Sequence, residues 1–182
     1  MRFVLLSLSL LLSACATMPA PSPQAEFWAN LRELCGRTVE GRMTAGDPVL
    51  DADFAAGPLI MGPVACLRDE VAIPFKVGAD DSRTWVIARH QDHLRLTHVH
   101  VHKKVEDALS RYGGRTLEQG TATRQEFPAD EFSKALFLRE NRPQSVTNVW
   151  AVEAAPGRLY AYELKRPNRF VRVEFDLAAP PR

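Results

Sequence analysis

The sequence predicts an all-β fold, a small antiparallel calycin-like barrel or a strongly curved sheet with two short helices. Short segments of alternating apolar and polar residues recur along the chain, and residues typical of tight turns separate them. There is no repeat of roughly 20 to 50 residues and no regular alternation of helix and strand, which disfavours solenoids and doubly wound folds. Closing such a sheet would remove its exposed edges. A two-sheet β-sandwich is the alternative.

The predicted elements of the first half follow from local patterns. Apolar residues between Phe27 and Leu34 have helical spacing, which predicts a short helix over Glu26–Leu34. Period-two alternation then predicts strands, and a turn at His90–His93 joins the last two into a hairpin. These strands are Thr38–Arg42, Leu59–Cys66, Glu70–Val77, Arg83–Arg89 and Leu94–His102.

The second half begins with glycine-rich and turn-forming residues. Tyr112-Gly113-Gly114 predicts a turn, and Thr116–Phe127 predicts one long strand broken at Gly120. Asp130, shortly after Pro128, predicts the start of a second short helix. That helix is expected to bury Phe132, Ala135 and Leu136. Alternation then predicts a closing meander of strands at Val146–Ala154, Leu159–Lys165 and Phe170–Leu177.

The amino-terminal residues indicate export. The apolar run Phe3–Leu12 is too short to span a bilayer as a mature helix. It leads into Leu12-Ser13-Ala14-Cys15, which resembles the lipobox of bacterial lipoproteins. The resemblance implies removal of residues 1–14 as a signal peptide and attachment of diacylglycerol and an acyl chain such as palmitate at Cys15, which gives stable anchoring. Ala16, rather than Asp, implies the outer membrane of the cell envelope, facing the periplasm. An ordinary signal peptide with an accidental cysteine is the alternative.

Composition divides the remaining chain into three parts. Residues 15–25 form a lipidated, proline-rich tether, residues 26–178 form one β-rich domain, and residues 179–182 form a tail. The formal net charge is +1, and removal of residues 1–14 takes away only Arg2, so the mature form is neutral. This neutrality argues against a nucleic-acid partner bound by electrostatics. The membrane is the partner implied by the anchor, and the oligomeric state is left open.

Cys35 and Cys66 are the two cysteines of the predicted domain. In an oxidising periplasm they are expected to form one disulfide. Two separate buried thiols or a thiolate metal site are the alternatives, and the lack of a C-x-x-C spacing weakens the metal reading.

The chemistry of the chain is concentrated in the strand that carries His98, His100 and His102, because side chains two residues apart share one face. Pairing through the four-residue turn sets Trp85 opposite His98 and Arg83 opposite His100. If this face lines a barrel interior, it forms an apolar pocket with a titratable end. We therefore predict a small-ligand site walled by Arg83, Trp85, His98 and His100, where Arg83 contacts a carboxylate or phosphate.

Two other functions fit the same residues less well. Divalent metal, zinc or copper, could bind to His98, His100 and His102, although the outer two Cα atoms lie roughly 13 Å apart on a strand. A structural or interaction role in the cell envelope is the third hypothesis. The common hydrolase, metalloprotease, nucleotide-binding and redox motifs are absent from the sequence, which favours binding over catalysis and leaves no candidate catalytic residue.

Several short motifs in the domain together resemble an uncharacterised family of exported bacterial proteins. They are Ser82-Arg83-Thr84-Trp85, the His-x-His-x-His run, Tyr112-Gly113-Gly114, Phe127-Pro128-Ala129-Asp130, Asn148-Val149-Trp150 and Phe175-Asp176-Leu177. The resemblance covers most of the predicted domain and implies export, but no particular activity.

Overall fold

One strongly curled antiparallel sheet of twelve strands dominates the computed structural model, which describes residues 20–178. The strands are β1 (Val39–Ala45), β2 (Leu59–Met61), β3 (Ala65–Cys66), β4 (Glu70–Val77), β5 (Asp80–Arg89), β6 (Leu94–His102), β7 (Val105–Glu106), β8 (Tyr112–Arg115), β9 (Arg124–Pro128), β10 (Val149–Ala155), β11 (Leu159–Arg166) and β12 (Arg169–Asp176). The helices in this range are α1 (Pro23–Arg32), α2 (Ala52–Ala55), α3 (Glu131–Arg139) and a 3₁₀ helix (Pro143–Thr147). The predicted signal peptide, Cys15 and the tail 179–182 lie outside the described residues.

The order of the strands explains how the sheet curls. It runs β7-β6-β5-β4-β2-β1-β12-β11-β10-β9, with β3 paired to β4 and β8 paired to β6. Gly114 of β8 also forms an isolated antiparallel bridge with Ala129, just beyond β9, so the two ends of the sheet meet. The predicted all-β, barrel-like fold is confirmed, and the strands form one curled sheet rather than a two-sheet sandwich.

The β5–β6 hairpin has the predicted register. Trp85 pairs with His98 and Arg83 pairs with His100, and the backbone N–H of His90 donates to the carbonyl of His93 in the turn. Because Trp85 and His98 are both buried, this face is the inside of the curled sheet. The part of β6 around His98 therefore forms part of the inner wall of the curled sheet.

The predicted strand Leu59–Cys66 is interrupted in the structure. It divides into β2 and β3, which pair with different parts of β4. Pro63 lies between them and has no N–H to donate to a neighbouring strand, which accounts for the break.

The predicted turn at Tyr112-Gly113-Gly114 is wrong, because these residues form most of β8. A Cβ atom on Gly113 would lie 1.9 Å from the carbonyl oxygen of Leu96, and one on Gly114 would lie 1.8 Å from that of Pro128. The two glycines therefore allow β8 to lie very close to two backbone segments, β6 on one side and the end of β9 on the other, where the ends of the sheet meet.

The long strand predicted over Thr116–Phe127 is also wrong, because only its last part is extended, in β9. Residues 116–123 form a loop instead. The buried side-chain amide of Gln125 donates to the carbonyls of Gln119 and Thr121, both at 2.9 Å, and so satisfies loop backbone groups that a strand would have paired.

Helix α3 begins as predicted, since the Asp130 carboxylate accepts the backbone N–H of Ser133 at 2.8 Å. Its buried face differs from the prediction. Leu136 is buried, but Phe132 is 53 % exposed and Ala135 is also exposed. The buried face of α3 differs from the predicted face because the Ser133 hydroxyl accepts the Gly113 N–H at 2.7 Å, which holds the Ser133 side of the helix against β8.

Helix α1 begins earlier than predicted, at Pro23, because the Ser22 hydroxyl caps it by accepting the Ala25 N–H at 3.2 Å. Its apolar residues Phe27, Trp28 and Leu31 are buried as expected. The helix packs against β9 and β10 and closes the barrel end that holds the β5–β6 turn, where the Arg89 guanidinium lies 5.3 Å from the centre of the Trp28 ring.

The predicted disulfide between Cys35 and Cys66 is confirmed, with Cα atoms 5.8 Å apart. It ties the chain just after α1 to β3.

Within residues 20–178, every helix is too short or too polar to cross a membrane.

Candidate functional site

A cavity of about 250 Å³ lies at the end of the barrel opposite α1. Four of the predicted site residues line it together: Arg83, Trp85, His98 and His100. The other lining side chains come mainly from α2, the 108–112 region, the 3₁₀ helix with its neighbours, and β10 to β12. They include Phe54, Phe75, Leu109, Tyr112, Phe137, Arg142, Gln144, Ser145, Asn148, Trp150, Tyr162, Leu164, Arg166, Arg169 and Val171.

Stacked aromatic rings form the floor of the cavity. The Trp85 ring lies between Phe75 and Tyr162, with both ring centroids 4.3 Å away and interplanar angles of 19° and 16°. This stack crosses the barrel from β4 to β11. Beside it, His98 stacks on Tyr112 at 4.7 Å. The stacked rings therefore give the cavity a flat, mainly apolar lining on this side.

His98 is buried and neutral. Its Nδ1 lies 3.2 Å from the carbonyl oxygen of Tyr112, which can only accept, so Nδ1 carries the proton. Its Nε2 lies 2.8 Å from the Tyr162 hydroxyl and accepts the hydroxyl proton. Burial lowers the pKa of His98 to about 3 and raises the pKa of Tyr162. Both ring nitrogens are thus used in internal hydrogen bonds.

The other two histidines become more exposed towards the barrel end. His100 is partly buried, and its Nε2 lies 3.0 Å from the Tyr112 hydroxyl. Burial, followed by the charge of Arg83, lowers the pKa of His100. His102 lies outside the cavity and is exposed, with Nδ1 2.8 Å from a carboxylate oxygen of Asp107. The strand therefore passes from a buried polar contact at His98 to an exposed contact with a carboxylate at His102.

The arrangement of these histidines bears on the metal hypothesis. Among residues 20–178, no group of three or more His, Cys, Asp or Glu side chains is arranged to hold a metal ion. The Nε2 lone pair of His98 is already used by Tyr162. Zinc or copper binding by His98, His100 and His102 stays a prediction, and it gains no support from this geometry.

Arg83 lines the cavity as predicted, but its charge is compensated. Its guanidinium forms an ion pair with Asp80, three residues earlier on β5. The Asp80 carboxylate also accepts the backbone N–H of Ser82 at 2.9 Å. Arg83 therefore contributes a donor to the cavity wall without adding net charge there.

Sequence reasoning missed Arg166 and Arg169, which also line the cavity. They are directly paired across the β11–β12 hairpin, on either side of the two-residue turn at Pro167 and Asn168. Two like charges opposite each other in a hairpin are unfavourable. That violation could be read from the sequence once the hairpin was predicted, and it would have marked the two arginines as unusual, although not their position at the cavity.

Arg142 completes the positive charge around the cavity. It is exposed, it precedes the 3₁₀ helix, and no carboxylate within residues 20–178 is paired with it. The cavity lining thus contains four arginines and, in the described part of the chain, neither Asp nor Glu. Such a surface, apolar below and cationic at its edge, suits a ligand with an apolar body and a polar end.

Comparisons with known proteins add no assignment: no family model matches the chain, and neither the curated proteins nor the solved structures include a match.

Proposed function

We propose that the protein binds a small, mainly apolar ligand in the cavity at the open end of its barrel, on the wall formed by the histidine strand. The observation that carries this proposal is the aromatic stack of Phe75, Trp85 and Tyr162, which lines a cavity of about 250 Å³. A volume of this size is a little below the lower limit of roughly 300 Å³ typical of small-molecule pockets.

The chemistry of the lining supports binding rather than catalysis. Burial holds His98 neutral and raises the pKa of Tyr112 to about 12, so neither group exchanges a proton readily near neutral pH. Aromatic faces instead supply a large apolar contact area. The surrounding arginines and amides supply donors that can orient the polar end of a ligand.

The neutral fluorescent probe N-phenyl-1-naphthylamine tests this proposal. We expect it to bind the purified protein with one saturable site and increased fluorescence. Leu109, half-buried in the cavity wall, provides the variant: Leu109→Trp fills part of the cavity and should weaken probe binding at least about tenfold, because one lost contact of roughly 1.4 kcal/mol already gives that factor.

Leu67→Trp is the matched control, because Leu67 is 67 % exposed and is not part of the cavity lining. It adds the same side chain to the surface and should leave the probe affinity within about twofold of the wild type. Equal probe binding by the two variants, or no saturable binding by the wild type, would contradict the proposal.

We further propose that the protein works at the periplasmic face of the outer membrane, held by lipid on Cys15. The lipobox Leu12-Ser13-Ala14-Cys15 supports this proposal. Cys15→Ala should move the protein from the membrane fraction to the soluble fraction and abolish incorporation of radiolabelled palmitate. An unchanged membrane fraction in Cys15→Ala would overturn the anchor.

A further inference from the structure

We propose that the polar end of the ligand is a carboxylate, held between Arg166 and Arg169. This inference rests on the proposed function, since it names the chemical class of the ligand that the cavity takes. Its basis is the charge, hydrogen bonding and burial of the two opposed arginines at the β11–β12 turn.

The first observation is an imbalance of charge. Asp51 is the carboxylate at this turn, and it pairs with Arg169: one of its oxygens contacts the Arg169 guanidinium, and the other accepts the backbone N–H of Asp47 at 2.8 Å. The Asp51 side chain is completely buried. The group of Arg166, Arg169 and Asp51 therefore carries one surplus positive charge in a partly desolvated place.

The second observation is an unused donor. The Nε–H of Arg169 is buried and, among residues 20–178, has no hydrogen-bond partner, although Arg169 lines the cavity. A buried donor without a partner costs about 1–3 kcal/mol, and more for a charged group. A ligand oxygen beside it would remove that cost.

The third observation is that Arg166 is held in place without a counter-ion. Its guanidinium lies 3.0 Å from the Ser145 hydroxyl and 3.5 Å from the Asn148 side-chain oxygen, both of which are neutral. Within residues 20–178 no carboxylate forms an ion pair with it. Burial and the nearby charge of Arg169 lower the pKa of Arg166, so the site favours an anion that would offset this repulsion.

The surplus of one charge selects a monoanion. Arg83 is neutralised by Asp80, and Arg142 is solvated, so neither adds to the buried excess. A carboxylate carries one negative charge and two oxygens, enough for donors from both Arg166 and Arg169. A phosphate monoester would bring close to two charges into a site that compensates one.

Calorimetric titration with three naphthalene compounds tests the inference on the full-length protein. 2-Naphthoate, 2-naphthalenemethanol and 2-naphthyl phosphate share one apolar body and differ in the polar group. We expect 2-naphthoate to bind at least about tenfold more tightly than either of the others, the factor expected for one charge-assisted hydrogen bond.

Arg166→Gln should weaken 2-naphthoate at least about tenfold and leave 2-naphthalenemethanol within about twofold. Arg166→Lys keeps the charge but loses the planar fork, and should fall between the wild type and Arg166→Gln. Lys165→Gln is the matched control, since Lys165 is the exposed neighbour on the same strand and its loss changes the net charge equally. It should leave all three affinities within about twofold.

The outcomes separate the two proposals. Equal binding of the acid and the alcohol would overturn the carboxylate inference and leave the proposed function standing. Tighter binding of the phosphate, or equal losses in Lys165→Gln and Arg166→Gln, would also overturn it. If none of the three compounds binds although N-phenyl-1-naphthylamine does, only the carboxylate inference fails; if none of the four binds, the proposed function fails as well.

Discussion

The two ends of the barrel are built from opposite kinds of side chain. At one end, helix α1 inserts Phe27, Trp28 and Leu31, and the disulfide follows directly after it. At the other end, rings and polar groups surround a cavity, and two arginines lie opposite each other. The closed end obeys the usual rules of packing, whereas the open end breaks the rule against opposed like charges.

The difference teaches where stability and function reside in this fold. Apolar burial at the closed end lowers the free energy of the folded state directly. In the part of the chain that the structure describes, the open end keeps an unpartnered donor and an uncompensated charge, both of which cost stability. Departures of this kind are concentrated at functional sites. Substitutions at the closed end should therefore change stability, and substitutions at the open end should change binding.

The largest effect is expected at the closed end. Phe27→Ala removes a ring that is completely buried, and it should lower the free energy of unfolding by about 3–5 kcal/mol. Urea denaturation followed by circular dichroism measures this loss. Below the unfolding transition, 2-naphthoate affinity should stay unchanged, because Phe27 does not contact the cavity.

Phe54→Ala is the matched substitution at the open end. Phe54 lines the cavity, is only partly buried, and has its ring centroid 6.0 Å from that of Phe75. It should cost less than half as much stability as Phe27→Ala and should weaken ligand binding. Equal losses of stability in the two variants would break the distinction between the ends.

Removal of the disulfide is expected to have the next effect on the free energy of unfolding. Replacing both Cys35 and Cys66 by Ser opens a loop with a sequence separation of 31 and should lower the free energy of unfolding by about 3–4 kcal/mol in the chain-entropy model. Urea denaturation of the double variant, compared with the oxidised wild type, measures it. A loss below about 1 kcal/mol would show that the closed end does not depend on this link.

The pH dependence of stability tests His98. Burial lowers its pKa to about 3 from the ordinary 6.5, so between these values the unfolded chain binds a proton that the folded chain does not. The contribution of neutral His98 to the free energy of unfolding is fully present above pH 6.5. It decreases as the pH falls towards 3, by up to about 1.4 kcal/mol per pH unit. Urea denaturation near pH 7 and near pH 5 measures this slope. In His98→Gln the slope should be smaller, and an identical slope would exclude His98 as its source.

Much of the fold could be predicted because local signals agreed with the tertiary structure. The four-residue turn fixed the pairing of Trp85 with His98, since a shift by one residue would move the apolar set to the other face. The prediction at Gly113 and Gly114 was wrong because glycine occurs both in turns and where two backbone segments approach closely. The approaching segments, at Leu96 and Pro128, are distant from the glycines in sequence, so the local sequence does not distinguish a turn from a close approach.

The candidate site was predictable only in the part that one hairpin supplies. Arg83, Trp85, His98 and His100 meet through the β5–β6 pairing, which sequence alone predicts. The arginines of β11 and β12 reach the same cavity only because the sheet curls, and curvature arises from twist and closure summed over many strands. The curvature of the whole sheet cannot be predicted from the residue pattern of any single hairpin.

The smallest effect is expected at His102, on the solvated side of the open end. Its contact with the Asp107 carboxylate is solvent-exposed, so His102→Ala should change the free energy of unfolding by less than about 0.5 kcal/mol and leave 2-naphthoate affinity unchanged. Zinc calorimetry on the same variant adds a sharper comparison. Wild-type zinc binding that is lost in His102→Ala would favour the metal hypothesis, because the ion would then need the exposed end of the histidine strand rather than the aromatic cavity.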